Sequence, residues 1–264
     1  MNKLLFLIFC GFSLAVLTSC KDKDALPAPL VNQTIPALVL QVEPALPPAL
    51  DYSKLPPRSQ EHIPTLLEQK EHYWPEMDSP SIFCSQIEQE TCPSPTHRMC
   101  WSPTAELKTS REQGVGLGQV TRTWDAQGNL RFDVLAELKN KHKEALAEWS
   151  WKNVTNALFQ LRALVLMDRD LFNAVNFAET LPDQYAFMAA AYNGGLGGVS
   201  QDRAVCRGSQ GCNPNVWFGH VEHHSTKAKT AHAEYSKSFF QINREYVTNI
   251  LKVRRAKYVN AGLS

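Results

Sequence analysis

Ten of the sixteen prolines in this 264-residue chain fall between residues 21 and 75, a stretch that contains no glycine. Proline fixes its own φ and offers no backbone N–H. The pairs Pro47-Pro48 and Pro56-Pro57 favour polyproline II, which makes a stiff, extended spacer. Val39-Leu40 and their neighbours are apolar but show no sustained periodicity. The expected organisation is therefore a tether over residues 20–75 and a folded domain over residues 76–264. A plain disordered tail is the alternative for the same stretch. A domain of the remaining length can bury a core without metal or dense disulfides.

The first 19 residues have a different character. Lys3 precedes Leu4 to Leu17, a run with no charged residue. Such a run is shorter than the ~20 residues a membrane-spanning helix needs, and it matches the apolar region of a secretory signal. It ends Leu17-Thr18-Ser19-Cys20, which resembles a bacterial lipobox. The resemblance implies cleavage before Cys20, its lipidation, and attachment to a membrane through the N-terminal lipid. Several acyl chains anchor firmly, since each buried methylene contributes ~0.8 kcal/mol. An ordinary signal peptide that happens to end in cysteine is the alternative. Lys21 follows the cysteine where Asp would mark retention in the enterobacterial sorting rule, so the pattern resembles export to the outer membrane, facing the periplasm.

The folded part reads as mostly helical. Ser79-Pro80 has the form of an N-cap with proline at the first helical position. Asn156 to Phe172 is apolar almost all round, with Leu158, Leu161, Leu164, Val165 and Met167, as in a buried central helix. Leu181-Pro182 opens another helix, which Gly194-Gly195 is expected to close. Glycine-rich breaks fall at 114–118 and 194–198. Residues 121–124 and 130–132 can pair as a small hairpin around Gln127-Gly128. From residue 71 onward there are 21 basic and 20 acidic residues, and the whole chain carries a formal charge of +1. That balance gives no field for recruiting nucleic acid by counterion release.

Removing Cys10 with the signal and assigning Cys20 to lipid leaves five cysteines. Two short loops present themselves, Cys92–Cys100 and Cys206–Cys212, and an oxidising envelope permits both. Spacing alone does not fix the connectivity. Cys84 is the expected remainder, inside a helix beside Phe83. Zinc is the competing reading, but no CxxC occurs, and no metal site is expected.

One acid is oddly placed. In the predicted helix from Pro80 to Thr91, Phe83 and Ile87 share an inward face, and Glu90 follows Ile87 by three on that face. Glu88 and Gln89 point elsewhere. Glu90 also lies in the last turn, near the negative end of the helix dipole. Apolar surroundings and the wrong pole both disfavour its charged form and raise its pKa, as a general acid near neutral pH requires. A salt-bridged glutamate on a half-exposed helix edge is the structural alternative.

Further motifs follow in order. Trp101-Ser102-Pro103-Thr104-Ala105 precedes Ser110, then Gly114-Val115-Gly116-Leu117-Gly118-Gln119. Later come Ala189-Ala190-Ala191-Tyr192-Asn193-Gly194-Gly195 and Arg244-Glu245-Tyr246-Val247. From about residue 80 to 258 the chain resembles the SLT-domain lytic transglycosylases, relatives of goose-type lysozyme. Those proteins carry Glu-Ser at a helix end, Pro-x-Ala, Gly-x-Gly-Leu-x-Gln, Ala-Tyr-Asn-x-Gly and a closing Arg-x-Tyr-Val. Thr91 stands here where the family has Ser, and the stretches from Glu90 to Pro103 and from Ala105 to Ser110 are longer.

The resemblance implies a mainly α (α+β), lysozyme-like domain with a small β element behind the tether. It implies cleavage of the β-1,4 bond between N-acetylmuramic acid and N-acetylglucosamine in peptidoglycan glycan strands, with no cofactor. Glu90 would be the single catalytic acid, with Glu106 or Glu112 as alternatives. Ser110, Gly116, Leu117 and Gln119 would bind substrate, with Gly114, Gly116 and Gly118 letting backbone approach a sugar closely. Tyr192 and Asn193 would end the alanine-rich helix and face Glu90. A hydrolytic muramidase of the same fold, or a non-catalytic peptidoglycan-binding lipoprotein, are the alternative functions. His220, Glu222, His223 and His224 have no known zincin spacing and read as a polar loop. Lys252, Arg254, Arg255 and Lys257 are expected to complement a helix dipole.

Overall fold

The computed structural model describes residues 50–231 and 236–264. The signal segment, Cys20 and the tether as far as residue 49 lie outside the described residues. About half of the described residues are helical, and one four-stranded antiparallel sheet accompanies them. The protein is mainly α with a small β element.

Residues 50–75, which the prolines assign to the tether, are folded here. Pro56 ends a short 3₁₀ turn (Tyr52–Lys54), and its carbonyl accepts from the Ser59 amide and hydroxyl. Helix α1 (Ser59–Tyr73) then runs through Pro64. Its buried residues Ser59, Ile63, Leu66 and Gln69 recur at helical spacing and form one face. That face packs on α4 (Ala157–Ala174), where Gln69 Oε1 accepts from Arg162 Nε at 2.9 Å and the Tyr73 carbonyl accepts from Arg169. The tertiary contact of that face overrides the cost of an internal proline.

Helix α2 (Ser81–Thr91) starts one residue later than the Ser79-Pro80 signal places it. Pro80 occupies the N-cap position and makes no side-chain cap. Ser79 instead accepts from Arg255 through its hydroxyl. All eleven residues of α2 are buried, so the helix is central rather than amphipathic. One side packs on the π-helical segment Asn249–Arg254 and the terminal helix Arg255–Asn260.

The sheet is a meander of β1 (Glu106–Lys108), β2 (Glu112–Val115), β3 (Val120–Trp124) and β4 (Leu130–Asp133). The β3–β4 pairing matches the expected hairpin, with Thr123 opposite Phe132. Asp125 holds its turn by accepting from the Gln127 and Asn129 amides. β1 and β2 extend the expected hairpin into the four-stranded sheet. The glycine break at 114–118 is the β2–β3 loop. Asp133 then caps α3 (Val134–Lys141) by accepting from the Ala136 amide.

Helix α4 serves two cores. Leu161, Leu164 and Val165 face the main core, while Ala163 and Leu166 join Val115, Val120, Leu135, Leu138 and Trp149 in a second one beneath the sheet. Leu158 is not part of the buried stripe, being 38% exposed. Helix α5 (Leu181–Arg207) opens with Thr180 as N-cap and Pro182 in its first turn. Gly194-Gly195 breaks it into two helical halves, as expected. Gly195 adopts φ +74° and ψ 153°, which kinks the helix, and the chain then resumes helical geometry as far as Arg207. Helix α6 (Phe239–Thr248), opened by a Ser238–Gln241 capping box, packs on α5 and continues through the π-helical segment.

Cys92 is bonded to Cys100 and Cys206 to Cys212, and Cys84 is a buried thiol. Among the described residues, no helix is long and apolar enough to cross a membrane.

Candidate active site

The i, i+4 spacing of Gln86 and Glu90 sets both on one side of α2. Glu90 is 7% exposed and lies in the last turn of the helix. Tyr246 Oη on α6 donates to Glu90 Oε1 at 2.5 Å, while Glu90 Oε2 is buried with no hydrogen-bond partner. The Tyr246 ring stacks on Tyr192 of α5, with centroids 6.3 Å apart and planes within 9°. Tyr192 Oη donates to the Gly118 carbonyl at 2.6 Å, tying the site to the β2–β3 loop. Behind Glu90, Gln86 Nε2 donates to Asp168 Oδ1 of α4 at 3.3 Å.

Burial pushes the Glu90 carboxyl well above the usual carboxylate range. The Tyr246 hydrogen bond opposes this shift, and the charge of Asp168 adds to it. Asp168, fully buried, is pushed up to about 8 by desolvation against the Gln86 bond. Two residues earlier on α2, Glu88 is equally buried but differently served. Arg254 Nη1 at 2.6 Å, Lys257 Nζ at 2.8 Å and Tyr258 Oη at 2.6 Å all donate to it. One helix thus carries one buried carboxyl satisfied by cations and another without any. The salt-bridged acid of this helix is Glu88 rather than Glu90, and it is buried instead of half-exposed. The basic cluster at 252–257 has Lys252, Arg254 and Lys257 in the last turns of their helical segments, and it serves this pairing as well. Arg255 holds Ser81 and Ser79, and Lys252 lies over the Phe218 ring.

Thr91 closes the helix end. Its hydroxyl donates to the Ile87 carbonyl at 2.6 Å and accepts from the Trp101 amide at 2.9 Å. The Cys92–Cys100 bond spans the intervening loop, and buried Trp101 donates through Nε1 to Tyr258.

The glycine loop is turned toward the protein's own side chains. Gly116 has φ +83°, and a Cβ there would lie 2.0 Å from Gln160 Nε2. A Cβ on Gly118 would lie 2.9 Å from Tyr192 Oη, and one on Gly114 2.9 Å from Gln119 Oε1. The close approach that these glycines permit is therefore made by Gln160, Tyr192 and Gln119. Leu117 is a core residue, and Gln119 donates to the Ala105 and Gly116 carbonyls from within the loop.

Asn193 is buried and its Oδ1 accepts from Asn243 Nδ2 at 3.0 Å, which directs it to α6. Together with Tyr192 it lies in the last turn of the first half of α5, just before the kink at Gly195. Ser110 is exposed in the β1–β2 turn, at the opposite end of β2 from Gly116. Glu106 is exposed and accepts from Gln113 Nε2 at 2.7 Å, and Glu112 is buried on β2 opposite Thr123. His220 accepts from the Asn213 amide and His224 contacts the Ser209 hydroxyl. Among the described residues, no group of three or more His, Cys, Asp or Glu side chains is placed to hold a metal.

Sequence reading passed over Gln86 and Asp168, and marked Tyr246 only as part of the closing motif, with no role at the site. Each sits on a buried helical stripe: Phe83-Gln86-Ile87-Glu90, Leu161-Leu164-Val165-Asp168 and Asn243-Tyr246-Val247-Ile250. A polar residue on such a stripe is the signal that was open to use. A scan against protein-family models finds no match, and a search of curated proteins finds none either.

Proposed function

We propose that the protein is a peptidoglycan lytic transglycosylase with a lysozyme-like domain. It would be anchored through lipid on Cys20, at the outer membrane facing the periplasm. The observation that carries this reading is Glu90: a buried carboxyl with no cation beside it, one oxygen held by Tyr246 and the other without a partner. Burial keeps the proton on Glu90 near neutral pH, so it can protonate the leaving glycosidic oxygen. The substrate's own N-acetyl group assists at C1. The resulting Glu90 carboxylate, steadied by Tyr246, takes the proton of the muramoyl C6 hydroxyl. That oxygen closes on C1 and gives the 1,6-anhydro product. The proton balance returns Glu90 to its starting state, and no water is consumed.

A murein digest followed by mass spectrometry, with wild type and Glu90→Gln side by side, tests the reading. Anhydromuramoyl products from the wild type alone are expected. Reducing-end muramic acid in their place would identify a hydrolytic muramidase. Binding of murein without cleavage would identify a wall-binding lipoprotein. Full activity in folded Glu90→Gln would redirect attention to Glu106 or Glu112.

A further inference from the structure

Three buried oxygens around the α2–α4 contact have no hydrogen-bond partner: Gln86 Oε1, Glu90 Oε2 and Asp168 Oδ2. Leaving a buried acceptor unpaired costs about 1–3 kcal/mol, so three together are not a packing accident to be absorbed cheaply. Gln86 is the joint between the two acids. It lies one turn before Glu90 on α2 and donates to Asp168 across to α4. Asp168 occupies a position on the α4 stripe that Leu161, Leu164 and Val165 otherwise fill with apolar groups.

We propose that Asp168 is a positioning residue for Glu90: the two buried carboxyls form a pair that retains a proton on Glu90, because the site cannot hold a second negative charge beside the first. The proposal rests on the catalytic reading of Glu90 for its purpose, but not for its electrostatics. The groups facing the pair are Gln86 from α2, Tyr192 from α5 and Tyr246 from α6. Among the described residues, no cation pairs with either acid. Cations on the same and neighbouring segments are committed elsewhere: Arg162 and Arg169 of α4 to Gln69, Tyr73 and Asp170, Arg254 and Lys257 to Glu88, Arg244 and Lys227 to Asp202. Two like charges in a low-dielectric site titrate as a unit, and the second proton is held harder than either acid alone would hold it. Protonation also turns an acceptor oxygen into a donor, so a retained proton supplies the O–H that the unpaired oxygens need.

The test is a carbon-13 NMR titration of the Glu and Asp side-chain carboxyls in the full-length protein, for wild type, Asp168→Asn and Glu90→Gln. Asn keeps the acceptor for Gln86 and removes the charge. If the two acids are coupled, the two wild-type midpoints sum to about one pH unit or more above the sum of the single midpoints left in the two variants. The alkaline limb of anhydro-product formation is expected at lower pH in Asp168→Asn. Equal sums, or an unmoved limb in a folded Asp168→Asn protein, overturn the proposal and leave Asp168 as packing. Should the Asn variant not fold, Asp168→Leu, which suits the apolar stripe, takes its place. Coupled midpoints in a protein that makes no anhydro product would uphold the pair and defeat the transglycosylase reading. Anhydro product with uncoupled midpoints would do the reverse.

Discussion

Gly116→Ala separates two roles for the glycine loop. If Gly116 lies against a sugar, the methyl group weakens substrate binding and leaves stability alone. The geometry gives the opposite expectation. At φ +83° an L-residue carries roughly 1–2 kcal/mol of strain. The new Cβ would also lie 2.0 Å from Gln160 Nε2, so the Gln160 amide must leave. That amide accepts from the Leu117 N–H at 2.9 Å and donates to the Val154 and Pro103 carbonyls at 2.7 and 2.9 Å. Losing most of these bonds at ~1 kcal/mol each brings the total to about 3–5 kcal/mol. For a domain of this size that is a fall in Tm of roughly 6–20 °C. Thermal unfolding followed by circular dichroism measures it. The double variant Gly116→Ala/Gln160→Ala should lose less than the sum of its parts, because the clash partner is gone. Gly116→Ala within about 1 kcal/mol of wild type, combined with a raised KM, would refute the packing argument and return the loop to the sugar.

Tyr246→Phe removes the bond that lowers the Glu90 pKa. The alkaline limb of activity should therefore move to higher pH, while kcat drops about tenfold from loss of ~1.5 kcal/mol of support for the carboxylate. Asp168 binds more protons folded than unfolded between its ordinary 3.8 and about 8, so its contribution disfavours folding increasingly as pH rises through that window. Asp168→Asn should match wild type in urea unfolding near pH 4 and exceed it by a few kcal/mol near pH 8. Arg254→Ala leaves Glu88 with one fewer cation and should cost about 2–4 kcal/mol in the same assay. A chain beginning at residue 76 loses Ile63 and Leu66, worth about 2–3 kcal/mol each. It should fail to melt cooperatively where a chain beginning at residue 50 does.

Local signals made much of the fold legible. Asn156 before an apolar run marked α4 to within two residues, and Gln127-Gly128 marked the β3–β4 turn. Signals that depend on tertiary contact were not legible. Pro56, Pro57 and Pro64 argue against helix locally, yet α1 forms because Ile63 and Leu66 find α4. Gly194-Gly195 marked the break in α5, but nothing local showed that a second helical half resumes after Gly195 as far as Arg207. At the candidate site, Glu90 stood out because its misfit is written within eleven residues of α2. Its partners come from 78 and 156 residues further along the chain, at Asp168 and Tyr246. Their convergence depends on how four helices cross, which no local pattern encodes.

Docking of α1 on α4 also bears on where such an enzyme could work. Were the chain fixed to a membrane at Cys20, the stretch between anchor and folded domain would end near Leu50 instead of residue 75. At no more than ~3.5 Å per residue, the greatest distance between bilayer and domain drops from about 190 Å to about 105 Å. On the proposed function, glycan strands beyond that radius would be out of range, so the annulus of wall open to cutting would be set by a helix that the prolines had concealed.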